Sequence, residues 1–179
     1  MPAVPYKNID GYQPKELLDA IALRRGPGGV INLDRMLLHS EPFTEGWNTF
    51  FGKVRGSLSI DNKLREMATC ATANLNGADY EFVQHKPYWL RAGGTDAQVA
   101  ALRDVDAAAA DQKNFDAADR AVLQLAIEMT RNVKVAPATL AAARKALPGD
   151  QQLVELIGVI SAVNMVARFV LATGVEIEG

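Results

Sequence analysis

Residues 64–93, LREMATCATANLNGADYEFVQHKPYWLRAG, decide the fold. Leu64–Leu75 is apolar and alanine-rich with helical spacing, the pattern of a buried helix. Asn76-Gly77 is a stop, because both residues tolerate the left-handed conformation that ends helices. A second helical pattern begins at Ala78 and carries Tyr80, Phe82, Val83 and Leu90; Pro87 is expected to bend or end it near Lys86. So short a link predicts two antiparallel neighbouring helices.

That hairpin places chemistry. Glu66 lies about ten positions before the turn and His85 about eight after it. At ~1.5 Å per residue both sit roughly 12–15 Å from the turn, and so level with one another. Glu81 and His85 are spaced i, i+4 and share a helical face. If that face looks at the first helix, Glu66, Glu81 and His85 converge among Met67, Ala68, Ala71, Leu75, Tyr80, Phe82 and Trp89. Carboxylates and an imidazole in such surroundings suit proton transfer. Taken singly, each has a plainer reading: Glu81 and His85 as an exposed helical pair, Glu66 as a solvent partner of Lys63 or Arg65.

The same residues resemble the carboxymuconolactone decarboxylase and alkylhydroperoxidase D-like family. The elements that match are Arg65-Glu66, the Asn76-Gly77 turn, Ala78-Asp79-Tyr80-Glu81-Phe82-Val83-Gln84-His85, and Gly94-Thr95 through Leu102. The resemblance covers residues 40–105 well and the C-terminal helix loosely. It implies an all-α bundle built around an antiparallel helix pair, no cofactor, a small-molecule substrate, and rings such as trimers or hexamers. Glu66, Tyr80 and His85 match the proton-relaying positions of the peroxidase branch. The two cysteines of that branch's CxxC motif fall here on Ala78 and Glu81, so a dithiol mechanism lacks both thiols. Cys70, on the preceding helix among small apolar residues, reads as a buried inert cysteine.

Composition narrows the classes. With 179 residues, 49% hydrophobic and 22% charged, one domain with a sizeable core is expected. Net charge is −2 and the cations are scattered, which argues against nucleic-acid binding. A single cysteine suits a reducing compartment, and the polar N-terminus MPAVPYKNIDGYQPKE lacks a signal core, so a cytoplasmic protein is expected. The longest apolar run, Leu156–Val175, is interrupted by Ser161, Asn164 and Arg168 and reads as a buried helix, not a membrane span. Two histidines without a second clustered imidazole make a poor metal site.

Around the hairpin, residues 1–13 read as an arm, followed by a helix from Pro14 to about Arg25 and a Gly26–Gly29 loop without phosphate-loop context. Short helix Leu33–His39 and helix Pro42–Val54 come next, the second with a stripe of Phe43, Trp47, Phe50 and Phe51 suited to core or subunit contact. His39 reads as a helix-end cap. Thr95–Gln98 is a capping box, and Asp104–Lys113 reads as a mobile polar connector. Helices over Asp116–Arg131, Pro137–Leu147 and Gln151–Ala172 complete the all-α reading, with a strand-like end at Gly174–Gly179. In the last helix Asn164 and Arg168 need partners: an inter-helix or inter-subunit link to Glu66 or Glu128, or a substrate carboxylate held by the Arg168 fork. Trp89, with these two, is the expected substrate-binding wall.

Overall fold

The structure is a computed structural model describing residues 1–178. It is all-α, and no strand occurs among the described residues. The chain divides into two compact units, residues 59–169 and residues 1–58 with 170–178.

The first of these is organised around α4, Asn62–Asn76. Asp61 opens it by accepting the Leu64 amide at 3.1 Å. Glu66 to Ala73 are all buried, so the helix is enclosed on every side. Small side chains (Ala68, Thr69, Ala71, Thr72, Ala73) let its neighbours approach closely. It ends as the Asn-Gly pair demands: Gly77 takes φ 68°, its amide bonds Asn74 O, and the Ala78 amide bonds Ala73 O, a Schellman closure. The chain turns straight into α5, Asp79–Arg91, antiparallel beside α4.

Pro87 does not end α5; the helix runs through it to Arg91. A proline there removes one hydrogen bond, to the carbonyl of Val83, and Val83 is half exposed, so water can satisfy that oxygen. Helix α6, Asp96–Ala101, starts on the expected box: Gln98 N donates to Thr95 Oγ1 at 3.2 Å and Thr95 N to Gln98 Oε1 at 3.1 Å. The expected connector is instead a helix, α7, Val105–Ala110. Asp104 caps it through the Ala107 amide at 3.0 Å, alanine favours the helical backbone, and Val105 and Ala108 are buried. Helices α8 (Ala117–Arg131) and α9 (Pro137–Ala146) follow, α8 packing on α4, α7 and α9. Lys63 at the start of α4 donates to buried Asp119 of α8 at 3.0 Å.

The last helix, α10, is Asp150–Thr173. Its buried residues Leu156, Val159, Ile160, Val163, Val166, Ala167 and Val170 recur at helical spacing. Length and composition alone would allow it to cross a membrane. It carries Asn164 bonded to other helices of the bundle, as described below.

In the other unit, α1 (Lys15–Arg25) continues into a single 3₁₀ turn at Gly26–Gly28, followed by α2 (Asn32–Leu37) and α3 (Glu41–Gly56). Of the aromatic stripe, Trp47 and Phe51 are buried, whereas Phe43 and Phe50 are 47% and 46% exposed. His39 does not cap a helix; its Nε2 meets Pro5 O at 2.7 Å and ties down the N-terminal arm. The tail forms no strand over residues 174–178, and Gly179 lies outside the described residues. Asn32 Nδ2 donates to Glu176 O at 3.1 Å, and the Glu176 amide donates to the Tyr6 hydroxyl at 2.8 Å.

Candidate functional site: a carboxylate–imidazole–carboxylate cluster

The hairpin brings Glu66, Glu81 and His85 together. The helix α4 supplies Glu66, and α5 supplies the other two one turn apart. Their exposures are 4%, 2% and 7%, so all three charged or chargeable groups sit inside the bundle. His85 Nδ1–H donates to Glu66 Oε2 at 2.7 Å. On the far side of the ring, His85 Nε2 lies 3.6 Å from Glu81 Oε2, in ion-pair range but beyond a hydrogen bond. The imidazole therefore has a carboxylate at each nitrogen, one tight and one loose.

Glu66 is itself held. Arg65 Nε and Nη2 donate to its other oxygen, Oε1, at 3.1 and 3.0 Å, which leaves Oε2 for the imidazole. Burial pushes the Glu66 carboxyl up, but the hydrogen bond from His85, the imidazole charge and Arg65 together outweigh it. The net effect holds Glu66 below the ordinary carboxylate value, and it is ionised at neutral pH. An ionised Glu66 fixes the proton on Nδ1, so Nε2 is the nitrogen that exchanges a proton with anything entering beside Glu81.

Cys70 stands one helical turn after Glu66 and is fully buried. Burial, and then the charges of Glu66 and Glu81, push its thiol far up, so it stays protonated at neutral pH. The same electrostatic coupling places Cys70 at the cluster's edge, a neighbourhood its sequence context did not reveal. Tyr80 is buried one residue before Glu81 on α5.

The remaining candidates are elsewhere in the packing. Trp89 is fully buried, with its indole against Gly94: a Cβ on Gly94 would meet three indole atoms at 2.7–2.9 Å. The structure therefore gives it a core position. Asn164 is half-buried; its Nδ2 donates to Thr130 Oγ1 at 3.0 Å, and its Oδ1 accepts from Asn76 Nδ2 at 3.1 Å. It thereby joins α10 to α8 and to the end of α4. Arg168 is exposed, and its Nη1 donates to the carbonyl and side-chain oxygens of Asn164 at 2.8 and 2.9 Å. Neither of its expected carboxylate partners is engaged that way. Glu66 is taken by Arg65 and His85, and Glu128 by Gln124, Thr139 and the Ala136 amide. Among the described residues no group of three or more His, Cys, Asp or Glu is arranged to hold a metal ion.

The fold defines a class: an all-α bundle built around an antiparallel helix pair. Residues 41–124 match the carboxymuconolactone decarboxylase family. No curated protein sequence matches the chain. Among solved structures, an uncharacterized peroxidase-related protein from Silicibacter sp. TM1040 superposes with TM-score 0.81 at 18% identity, covering 99% of this chain and 91% of that one. The debrominase Bmp8 superposes with TM-score 0.77 at 14% identity over 98% of this chain and 91% of its own. Its cysteine-to-alanine variant in complex with 2,3,4-tribromopyrrole gives TM-score 0.78 at 14% identity, covering 98% and 90%. At these identities the likeness is one of fold.

Proposed function

We propose that the protein is a cofactor-independent acid–base enzyme acting on a small cyclic acid or lactone, by decarboxylation or proton transfer at carbon. The observation that carries this reading is the two-sided imidazole: Nδ1 anchored at 2.7 Å on ionised Glu66, Nε2 facing Glu81 at 3.6 Å. In a decarboxylation the C–CO₂⁻ bond breaks, its electron pair moves into the substrate's own carbonyl, and carbon dioxide leaves. The protonated imidazole, with a carboxylate at each nitrogen, then gives its Nε2 proton to the enolate carbon and regains one from solvent through Glu81. Glu66 holds the ring and does not itself change protonation; Tyr80 is the further candidate in the proton path.

Thiol chemistry is disfavoured, because the family's cysteine pair is replaced by Ala78 and Glu81 and because Cys70 is buried and kept protonated. The protein should not reduce organic hydroperoxides with a dithiol reductant, and Cys70→Ser should keep whatever activity exists. Peroxide turnover lost in that variant would reverse this.

We also propose that copies of the chain associate, a second copy covering exposed Phe43 and Phe50 on one side of α3. A cytoplasmic location accords with a lone reduced cysteine. A monomeric mass by light scattering at micromolar concentration would reject the association.

The test of activity is a thermal-shift screen of small carboxylic acids and lactones, since a ligand of the native state alone raises its stability. Hits are then assayed for carbon dioxide release and for solvent-deuterium incorporation. Turnover in the wild type that vanishes in His85→Ala supports the reading. Turnover unchanged in His85→Ala moves catalysis away from this cluster; binding of a hit without turnover in the wild type makes an oligomeric binding protein that kept the fold the better account.

A further inference from the structure

Helix α5 carries a second row of side chains beside the buried cluster: His85, Tyr88 and Arg91, spaced i, i+3, i+6. Side chains on a helix lean toward its N-terminus, so Tyr88 lies back over the turn of His85 and Arg91 over that of Tyr88. The rings of His85 and Tyr88 stand 6.1 Å apart between centroids, tilted by 46°. The Arg91 guanidinium carbon lies 4.4 Å from the centre of the Tyr88 ring. Arg91 is exposed, Tyr88 is 49% exposed and His85 is buried, so the row descends from solvent to the imidazole.

Packing does not account for this row. A half-exposed aromatic ring beside a buried base gains little from burial. Arg91 has no carboxylate partner among the described residues and is held by the Tyr88 ring. A guanidinium is drawn to an aromatic face by the ring's quadrupole, which uses none of its N–H donors. A cation in the last turn of a helix also complements the dipole, but that role calls for no aromatic ring beneath it. The cluster, in turn, needs a cation near its entrance. Ionised Glu66 repels any acid that approaches the imidazole, and Arg65 already donates twice to Glu66. Arg91 stands on the same helix as His85 with its donors open.

We infer that Tyr88 and Arg91 form the substrate-binding part of this site and select a planar cyclic carboxylate. The Tyr88 ring is an aromatic wall for a flat ring, and the Arg91 fork takes a carboxylate. Arg91 lies about 9 Å along the helix from His85, at ~1.5 Å per residue. One small ring with a carboxylate at its outer edge fills that span. The carboxylate on Arg91 is one that positions the substrate, and the reacting carbon lies toward His85. This rests on the proposed reading of the Glu66–His85–Glu81 cluster as the reactive centre and adds what that centre takes. Tyr88 and Arg91 thereby assume the roles that the sequence suggested for Trp89 and Arg168. Trp89 is enclosed in the core, and Arg168 is engaged with Asn164.

The test is NMR of the full chain with isotope-labelled histidine, titrated with benzoate, cyclohexanecarboxylate and benzamide at fixed pH and ionic strength. The chain has two histidines, so His39 is an internal control. Benzoate should shift the His85 signals saturably and leave those of His39 in place. Cyclohexanecarboxylate, an acid without a flat ring, and benzamide, a flat ring without charge, should each bind several-fold more weakly. Arg91→Gln should weaken benzoate binding roughly tenfold or more, the usual effect of losing a charged hydrogen-bond donor. Tyr88→Ala should weaken it several-fold, and Tyr88→Phe should not. Both positions are exposed, so folding is not at stake. Arg103→Gln removes an exposed guanidinium beside Leu102, whose carbonyl bonds Asn74 near the turn of the hairpin, and should bind as the wild type does. No saturable shift of His85, unchanged affinity in Arg91→Gln or Tyr88→Ala, or equal binding of benzamide would overturn the inference. Benzoate binding as expected with no acid turned over leaves this subsite standing and removes the proposed reaction. Turnover of an acid whose kcat/KM is unchanged in Arg91→Gln and Tyr88→Ala removes the subsite and leaves the reaction.

Discussion

Two clusters of buried charge sit in this molecule, and they are built on opposite plans. Between α4 and α5, two carboxylates flank one imidazole with Arg65 behind, and the group that can change its charge is in the middle. Around Asp34, two guanidinium groups, Arg24 and Arg25, share a single carboxylate. In the first, one carboxylate grips the ring at 2.7 Å and the other stands off at 3.6 Å. The second fastens α1 to α2, because both arginines close on one carboxylate. Burial of charge is common to both; what separates them is whether one base stands between two acids or one acid between two bases.

The largest effect should appear in the first cluster. Once a substrate is identified, His85→Ala and Glu66→Gln should each lower turnover by roughly 10²–10⁴-fold with the fold intact. The double variant should lose no more than the worse single one, because both residues serve one proton path. Additive losses in steady-state kinetics would mean that the two act separately. In the second cluster the loss should be one of stability instead. Asp34→Ala leaves two guanidinium groups buried without their acceptor, and should cost about 3–5 kcal/mol in denaturant unfolding. A cost near zero would show that those arginines find other partners and that Asp34 is not what holds them.

A smaller effect tests the support of the hairpin. Gly94→Ala drives a methyl group to within 2.7 Å of the Trp89 indole, an aromatic ring with no freedom to swing away inside the core. Overpacking of this kind costs about 1–3 kcal/mol, readable as a lowered melting midpoint. An unchanged midpoint would mean that α5 can shift, and that the 2.7 Å His85–Glu66 bond is less rigidly placed than its burial implies.

The smallest effect concerns acid. Glu66 is depressed in the folded state, so its contribution to stability is complete above the ordinary carboxylate range and is lost as pH falls through its lower folded value. Glu66→Gln removes that dependence. The variant's acid-unfolding curve should be shallower than the wild type's below the ordinary glutamate value of about 4.3. An identical slope would show that Glu66 titrates normally, and the tight anchoring of Nδ1 would lose its electrostatic support.

The sequence by itself determined the helical class, the hairpin and the convergence of Glu66, Glu81 and His85. These rest on local, periodic signals: Asn76-Gly77 permits the left-handed stop, and residue counts from one tight turn set the level of side chains on both helices. The same reasoning erred where competing terms were close. Pro87 lost to the continuing helix because its missing bond faces outward, and the Asp104–Lys113 connector gained a helix from one aspartate cap and a run of alanines. Only the tertiary structure decided the rest. It bonded Arg168 to Asn164, set Cys70 under the influence of both glutamates, and placed Trp89 on Gly94. It also closed Arg24 and Arg25 on Asp34, although both look in the sequence like ordinary basic residues near the C-terminal end of a helix. Cations there are common because they complement the helix dipole, so nothing local distinguishes a solvated arginine from a buried one. That distinction depends on how α1 meets α2, and contacts between separate helices follow from packing and not from periodicity.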